Sequence, residues 1–187
     1  MADYDIVGIC GSLRRKSTNM AALRTAGELM PAGMKLRIVQ IGDLPLYNQD
    51  VQDQGWPEAV ERLKQDVARA DGVVLAAPEY NYGAASPLKN AIDWLSRYKD
   101  QPFKWKPMAI FSATGGPSGG ARSQHDLRRI LTSVDALVLM KPEVYIGASA
   151  SKFDAEGRCT DETTKKFLGD QMLAFGDWIG RVKKFAA

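Results

Sequence analysis

Five short apolar runs, each followed by a longer amphipathic stretch, constrain this chain more than any other feature of its sequence. The runs cover residues 4–10, 36–41, 72–77, 108–112 and 136–140, and most are rich in Val, Ile and Leu without alternation of polarity. A strand with one wet face alternates, whereas a strand covered on both faces does not, so these runs read as the strands of a buried parallel sheet. The stretches between them, 19–30, 57–70, 87–98, 120–134 and 162–185, read as helices. In the second, Pro57 suits a first helical turn, and Val60, Leu63, Val67 and Ala70 fall on one stripe. In the last, Leu168, Met172, Phe175, Ile179 and Val182 follow one another at helical spacing. Strand and helix in strict alternation predict a doubly wound α/β domain with helices on both faces of the sheet. In such a domain, ligands bind outside the carboxyl ends of the strands, so chemistry is sought in the loops that follow the runs.

The 187 residues are expected to form one domain, 1–187, and hold enough apolar side chains (45%) for a full core. No apolar run approaches the ~20 residues that cross a bilayer, so no membrane span is expected. The start, Met1-Ala-Asp-Tyr-Asp-Ile-Val, lacks the basic opening and apolar stretch of a secretory signal, and the expected compartment is the cytoplasm. The two cysteines, Cys10 and Cys159, make neither a disulfide framework nor a zinc site, and no metal is expected. The net charge of +3 is not gathered into a stripe, which argues against nucleic acid. A single histidine, His125, leaves little room for triad or zinc-hydrolase chemistry.

The loop after the first run reads Gly11-Ser12-Leu13-Arg14-Arg15-Lys16-Ser17-Thr18-Asn19 and leads into a helix. A helix start offers free N–H groups and partial positive charge to an anion. Hydroxyls, an amide and three cations add to this, and Gly11 lets the backbone approach closely. The alternative is a capped helix after a solvated basic turn, with Asn19 or Ser17 as the cap. The loop is neither G-x-x-x-x-G-K-[ST] nor G-x-G-x-x-G, which disfavours a nucleotide triphosphatase and a dinucleotide fold. A terminal phosphate monoester, such as that of FMN, remains.

Two further loops suit a planar ring. After the third run comes Pro78-Glu79-Tyr80-Asn81-Tyr82, in which two flat side chains flank an amide. After the fourth comes Ser112-Ala113-Thr114-Gly115-Gly116-Pro117-Ser118-Gly119-Gly120, rich in backbone donors that can face a developing negative charge. Each can also be read as a plain turn. The helix at 87–98 is apolar over a wide arc. Leu88, Ala91, Ile92 and Leu95 face the sheet, and Trp94 and Tyr98 fall on a neighbouring face, which suggests contact with another subunit or simply a broad core face. Two long loops, 42–56 and 141–161, are either functional or plain connections.

These motifs, with Leu88-Lys89-Asn90-Ala91-Ile92-Asp93-Trp94-Leu95-Ser96-Arg97 and Gly119-Gly120-Ala121-Arg122, occur in order along nearly the whole chain. Together they resemble the NADPH-dependent FMN reductase family, and within it the bacterial chromate and quinone reductases. The resemblance implies a flavodoxin-like fold, a five-stranded parallel sheet of order 2-1-3-4-5, with bound FMN. It places Ser12, Arg14, Ser17 and Asn19 on the phosphate. Pro78, Glu79, Tyr80, Asn81 and Tyr82 border the ring, with Ser112, Thr114, Gly115 and Gly116 at its other edge. It also implies a homodimer, often paired into a tetramer through a network matching Arg122, Glu143 and, where relatives carry a tyrosine, His125.

In such an enzyme the flavin N5 carries the chemistry, taking hydride from NADH or NADPH and passing electrons to a small-molecule acceptor, so no catalytic side chain is expected. Quinones suit a flat open site; chromate, an oxyanion, would be drawn by Arg14, Lys16 and Arg122. A one-electron FMN carrier without efficient NAD(P)H turnover is the alternative. Such carriers tend to be acidic, and the +3 charge argues against it.

Overall fold

A computed structural model describes residues 3–186. Strands β1 (Tyr4–Cys10), β2 (Met34–Val39), β3 (Gly72–Ala76) and β6 (Pro107–Ala113) form a parallel sheet in the order β2-β1-β3-β6, extended by β7 (Leu137–Val138). Ile6 lies opposite Leu36 and Gly72, and Val73 lies opposite Met108. This is the expected flavodoxin-like order.

Side chains of successive strand residues pass to opposite faces of the sheet, and both faces are covered. Val7, Ile9, Val73, Leu75, Met108 and Ile110 meet α3 (Glu58–Arg69), α4 (Ser86–Leu95) and α5 (Ala121–Thr132). Ile6, Cys10, Val74, Ala76, Ala109 and Phe111 meet α1 (Thr18–Glu28) and α6 (Glu162–Ala186). The apolar stripe of α6 is buried as its spacing predicts, from Leu168 to Val182. Removing a Val- or Leu-sized side chain from water contributes about 1.5–3 kcal/mol, which is why unbroken apolar runs fix the sheet.

Three features differ from the expectation. The fifth strand is divided: β7 is short, the chain turns at Lys141-Pro142, and β8 (Val144–Ile146) returns to pair with the far end of β6. Pro142 has no N–H to give to a ladder, so the strand cannot run through it. The third run is followed by a small hairpin, β4 (Glu79–Tyr80) and β5 (Gly83–Ala84).

The third difference is a correction. Trp94 is fully buried and Tyr98 nearly so within the single chain, so the wide apolar arc of α4 needs no second subunit. The loop 42–56, which includes α2 (Gln49–Asp53), lies over it. Trp94 Nε1 donates to the Pro45 carbonyl at 2.7 Å, Asn90 accepts from the Tyr47 N–H at 2.8 Å, and Trp56 stacks on Tyr98 at 3.7 Å between centroids.

Candidate functional site

Three loops leave the carboxyl edge of the sheet side by side, after β1, β3 and β6. They enclose a cleft of about 260 Å³. Ser12, Arg14, Ser17, Asn19, Pro78, Glu79, Tyr80, Thr114 and Gly115 all line it. These are most of the residues singled out in the sequence, drawn together from three separate segments.

The first loop is a cradle of free donors. Ser17 caps α1, its Oγ accepting from the Met20 N–H at 3.2 Å. Among the described residues, no backbone N–H from Leu13 through Asn19 has a protein partner. Ser12 is 6% exposed, and its hydroxyl has no partner among the described residues. The Arg14 side chain is exposed at the rim and makes no ion pair among the described residues. Gly11 is required because a Cβ there would lie 2.7 Å from Leu88 and 2.9 Å from Pro78. Beneath the loop, Cys10 Sγ accepts from the Ser12 N–H at 3.4 Å and donates to the Ser12 carbonyl at 3.6 Å. Burial pushes the Cys10 thiol pKa up, so it acts as a brace rather than a nucleophile.

The hairpin of β4 and β5 turns on Asn81 and Tyr82, with φ of 50° and 67°. Positive φ at both central residues is the two-residue hairpin turn whose twist matches the strands; Asn tolerates it and Tyr does not readily. The strained turn holds the Tyr82 ring in solvent, 71% exposed, with the Arg122 guanidinium 4.2 Å from its centroid. Tyr80 is 46% exposed at the cleft. The hairpin is tied to α5 at both ends. Glu79 accepts from the N–H groups of Arg122 and Ser123 at 3.1 and 3.2 Å, and Asp126 accepts from the Ala84 N–H at 3.0 Å. Glu79 caps α5 because the residue before the helix, Gly120, sits at φ 89° and has no side chain to do so. The Ala84 N–H, then Arg129, hold the Asp126 pKa below the usual aspartate value.

The third loop is held open by its own backbone. Gly115 and Gly116 have amides without partners among the described residues, and a Cβ on either would enter open space. Ser149, 3% exposed, closes the cleft from the loop 141–161. Its N–H donates to the Thr114 carbonyl at 2.9 Å and its Oγ to Thr18 Oγ1 at 3.2 Å. No motif pointed to Ser149; the length of its loop was the only signal.

The structure turns several of the expected site residues toward protein partners or places them outside this cleft. Ser112 is fully buried behind the loop, donating to the Gly119 carbonyl at 2.6 Å and accepting from Gln124 at 2.7 Å, so it faces away from the cleft. Asn19 faces the cleft with its backbone, but its amide is engaged with Ala113, donating to the carbonyl at 2.7 Å and accepting from the N–H at 2.9 Å. The Glu79 carboxylate is spent on α5. Asn81, Tyr82 and Gly116 lie outside the cleft lining, and Lys16 lines a separate hollow on the far side of its loop. Within one subunit Arg122 and Glu143 do not meet. Arg122 pairs with Glu79 at 3.4 Å, and Glu143 takes bonds from Lys141 at 2.6 Å and Tyr145 at 2.8 Å, which hold its pKa below the glutamate value, Lys141 foremost. His125 is exposed on α5.

Unpaired amides, buried hydroxyls and one arginine at a helix start suit a phosphate monoester. A glycine edge facing a tyrosine suits a flat ring beyond it. The residues present therefore fit a flavin mononucleotide. The model of a family described as NADPH-dependent FMN reductase matches residues 4–151. The chain belongs to this family. It is 45% identical over 181 residues to an NAD(P)H-dependent FMN reductase of Pseudomonas aeruginosa, covering 97% of this chain and 98% of that one. It is equally 45% identical to a quinone reductase of Escherichia coli, covering 95% and 96%. Among solved structures, the flavoenzyme FerB of Paracoccus denitrificans, an NAD(P)H:acceptor oxidoreductase, superposes with a TM-score of 0.87 at 36% identity, covering 95% and 98% of the two chains. The two chains thus share the same fold.

Proposed function

We propose that this chain is an FMN-containing oxidoreductase that draws electrons from NADH or NADPH and delivers them to quinones. The observation that carries the reading is the set of unpartnered N–H groups of Arg14, Ser17, Thr18 and Asn19, residues that line the same cleft as Tyr80 and Gly115. Arg14, the hydroxyls of Ser12 and Ser17 and the amides of Thr18 and Asn19 would hold the phosphate by charge-assisted hydrogen bonds. Pro78, Tyr80 and the hairpin tip at Asn81 and Tyr82 would flank the ring on one side, and Thr114, Gly115 and Gly116 on the other.

FMN, when bound, supplies the two-electron carrier that protein side chains lack. The protein's own work is positional. The amides of Gly115 and Gly116 are fixed donors that can oppose negative charge at a ring edge without reorganisation. The tyrosines shape a flat open face for a planar acceptor. Among the described residues that line the cleft, no side chain is poised as a nucleophile, in keeping with a reaction whose electrons the flavin would carry.

Arg122, beside Tyr82, is a candidate for attracting anionic acceptors such as chromate. The same reading includes a cytoplasmic location and a homodimer pairing into a tetramer through a face that takes in His125 on α5, Arg122 and Glu143.

The test is the visible spectrum of the purified protein, followed by anaerobic addition of NADH or NADPH and then a quinone. A yellow protein bleached by the dinucleotide and recoloured by the quinone is expected. A colourless protein that takes up no added FMN would overturn the proposal. Tight FMN without dinucleotide oxidation would make the chain an electron carrier instead.

A further inference from the structure

Ser149 and Thr18 lie 131 residues apart in the chain, yet both line the cleft, and Ser149 Oγ donates to Thr18 Oγ1 at 3.2 Å. Ser149 is held in place by its backbone. Its N–H donates to the Thr114 carbonyl at 2.9 Å, and its carbonyl accepts from the Lys152 N–H at 3.2 Å. The Ala148 N–H donates to the Gly116 carbonyl at 3.2 Å. Ala148 itself stands at φ 48°, a left-handed conformation that an alanine keeps only where its surroundings impose it. The Ser149 side chain is 3% exposed, so its proton has little access to water and goes to Thr18.

The direction of that bond decides what Thr18 can do. A hydroxyl carries one proton. Within a helix a threonine commonly gives it to the carbonyl one turn back, as Thr25 does to Ala21 at 3.1 Å and Thr132 to Arg128 at 3.0 Å. Thr18 is the first residue of α1 and follows Ser17, which is extended at φ −83° and ψ 124°, so no preceding helical turn offers it a carbonyl. It accepts from Ser149, and among the described residues its own proton has no acceptor. We infer that Ser149 is a positioning residue: by donating to Thr18 it turns the Thr18 hydroxyl proton into the cleft, where Thr18 Oγ1 gives the phosphate of FMN one further donor. The inference rests on the FMN reading and deepens it by naming a phosphate-binding side chain and the residue that orients it. Hydrogen bonds in a chain polarise one another, so Thr18 is a stronger donor to an anion while it accepts from Ser149.

The experiment compares wild type, Ser149→Ala, Thr18→Val and the double variant, each loaded with FMN or with riboflavin, and reads the dissociation constants from flavin fluorescence on dilution. Thr18→Val should weaken FMN binding roughly tenfold or more, the contribution of a hydrogen bond to a charged group, and Ser149→Ala roughly threefold to tenfold, that of a neutral one. On the Thr18→Val background, Ser149→Ala should change FMN affinity by less than about twofold, because the residue through which it acts is gone. Riboflavin, which has no phosphate, should bind every variant as it binds wild type. The phosphorus NMR resonance of bound FMN should shift in Ser149→Ala, a signature that a merely structural role would not produce. Riboflavin weakened in parallel with FMN would mean that Ser149 only shapes the cleft, and would overturn the inference. So would effects of the two substitutions that add, an FMN affinity unchanged in Ser149→Ala, or a phosphorus resonance that stays in place. A wild type that retains no FMN would instead overturn the FMN reading itself.

Discussion

Replacing Asn19 by Ala tests how the cleft is held together. β3 last pairs with β6 at Ala76 opposite Phe111, and two residues further along β6 the Asn19 amide takes the place of the missing rung, bonding both backbone groups of Ala113. Ala113 is 3% exposed, so neither group has easy access to water. An unsatisfied buried donor or acceptor costs about 1–3 kcal/mol, so two give about 2–6, and water entering the space left by the amide brings the expected loss to about 2–4 kcal/mol. For a chain of this size 1 kcal/mol shifts Tm by about 2–4 °C, which gives a fall of roughly 5–15 °C. Urea and thermal unfolding of the FMN-free protein measure this directly. Because the bond joins the phosphate loop to the glycine loop, FMN affinity should fall as well. Asn19→Asp keeps the acceptor but sets a carboxylate against the Ala113 carbonyl, and should be no more stable than the alanine variant at neutral pH. An Asn19→Ala protein within about 0.5 kcal/mol of wild type would show that the bridge contributes no more than an ordinary surface contact, and the reasoning would fail.

Arg14→Ala should weaken FMN binding by roughly tenfold to a hundredfold, the worth of one charge-assisted phosphate contact, with little change in the unfolding midpoint of the flavin-free protein; fluorescence titration with FMN measures it. Gly120→Ala should destabilise strongly, because the left-handed backbone costs of order 1–3 kcal/mol and the new Cβ would lie 2.6 Å from Ser112; a variant that unfolds like wild type refutes this. Acid should loosen the hairpin. The Asp126 pKa is depressed below the usual 3.8, so its ionised form stabilises the fold above that value and the contribution is lost as pH falls through and below it. Urea midpoints across this range should therefore fall less steeply for Asp126→Asn than for wild type, with the variant already weaker at neutral pH.

Much of this was legible beforehand because it depends on local pattern. Unbroken apolar runs report burial on two faces whatever their partners, and the stripe from Leu168 to Val182 reports the packed face of α6. The loop after β1 could be singled out because its glycine, hydroxyls, cations and helix start belong to one continuous segment. What failed were readings that required a partner. Trp94 and Tyr98 were legible as apolar but not as covered, since the covering residues Pro45, Tyr47 and Trp56 arrive from a loop with no regular pattern. Ser149 went unseen for the same reason. The division of the fifth strand followed from Pro142, whose effect on a ladder is readable only when the neighbouring strand is known.

The sequence by itself determined the α/β architecture, the edge at which the three motif loops gather and the family to which the motifs point, because period, polarity and loop composition are properties of short segments. Only the tertiary structure decided which polar side chains remain free for a ligand. Asn19, Ser112 and Glu79 look as available in the sequence as Ser12 and Arg14, yet each is drawn off by backbone groups that folding leaves unpaired, in the case of Asn19 a strand end 94 residues away. A buried donor or acceptor must be satisfied before a site can be furnished, and where such groups fall is fixed by the packing of distant segments.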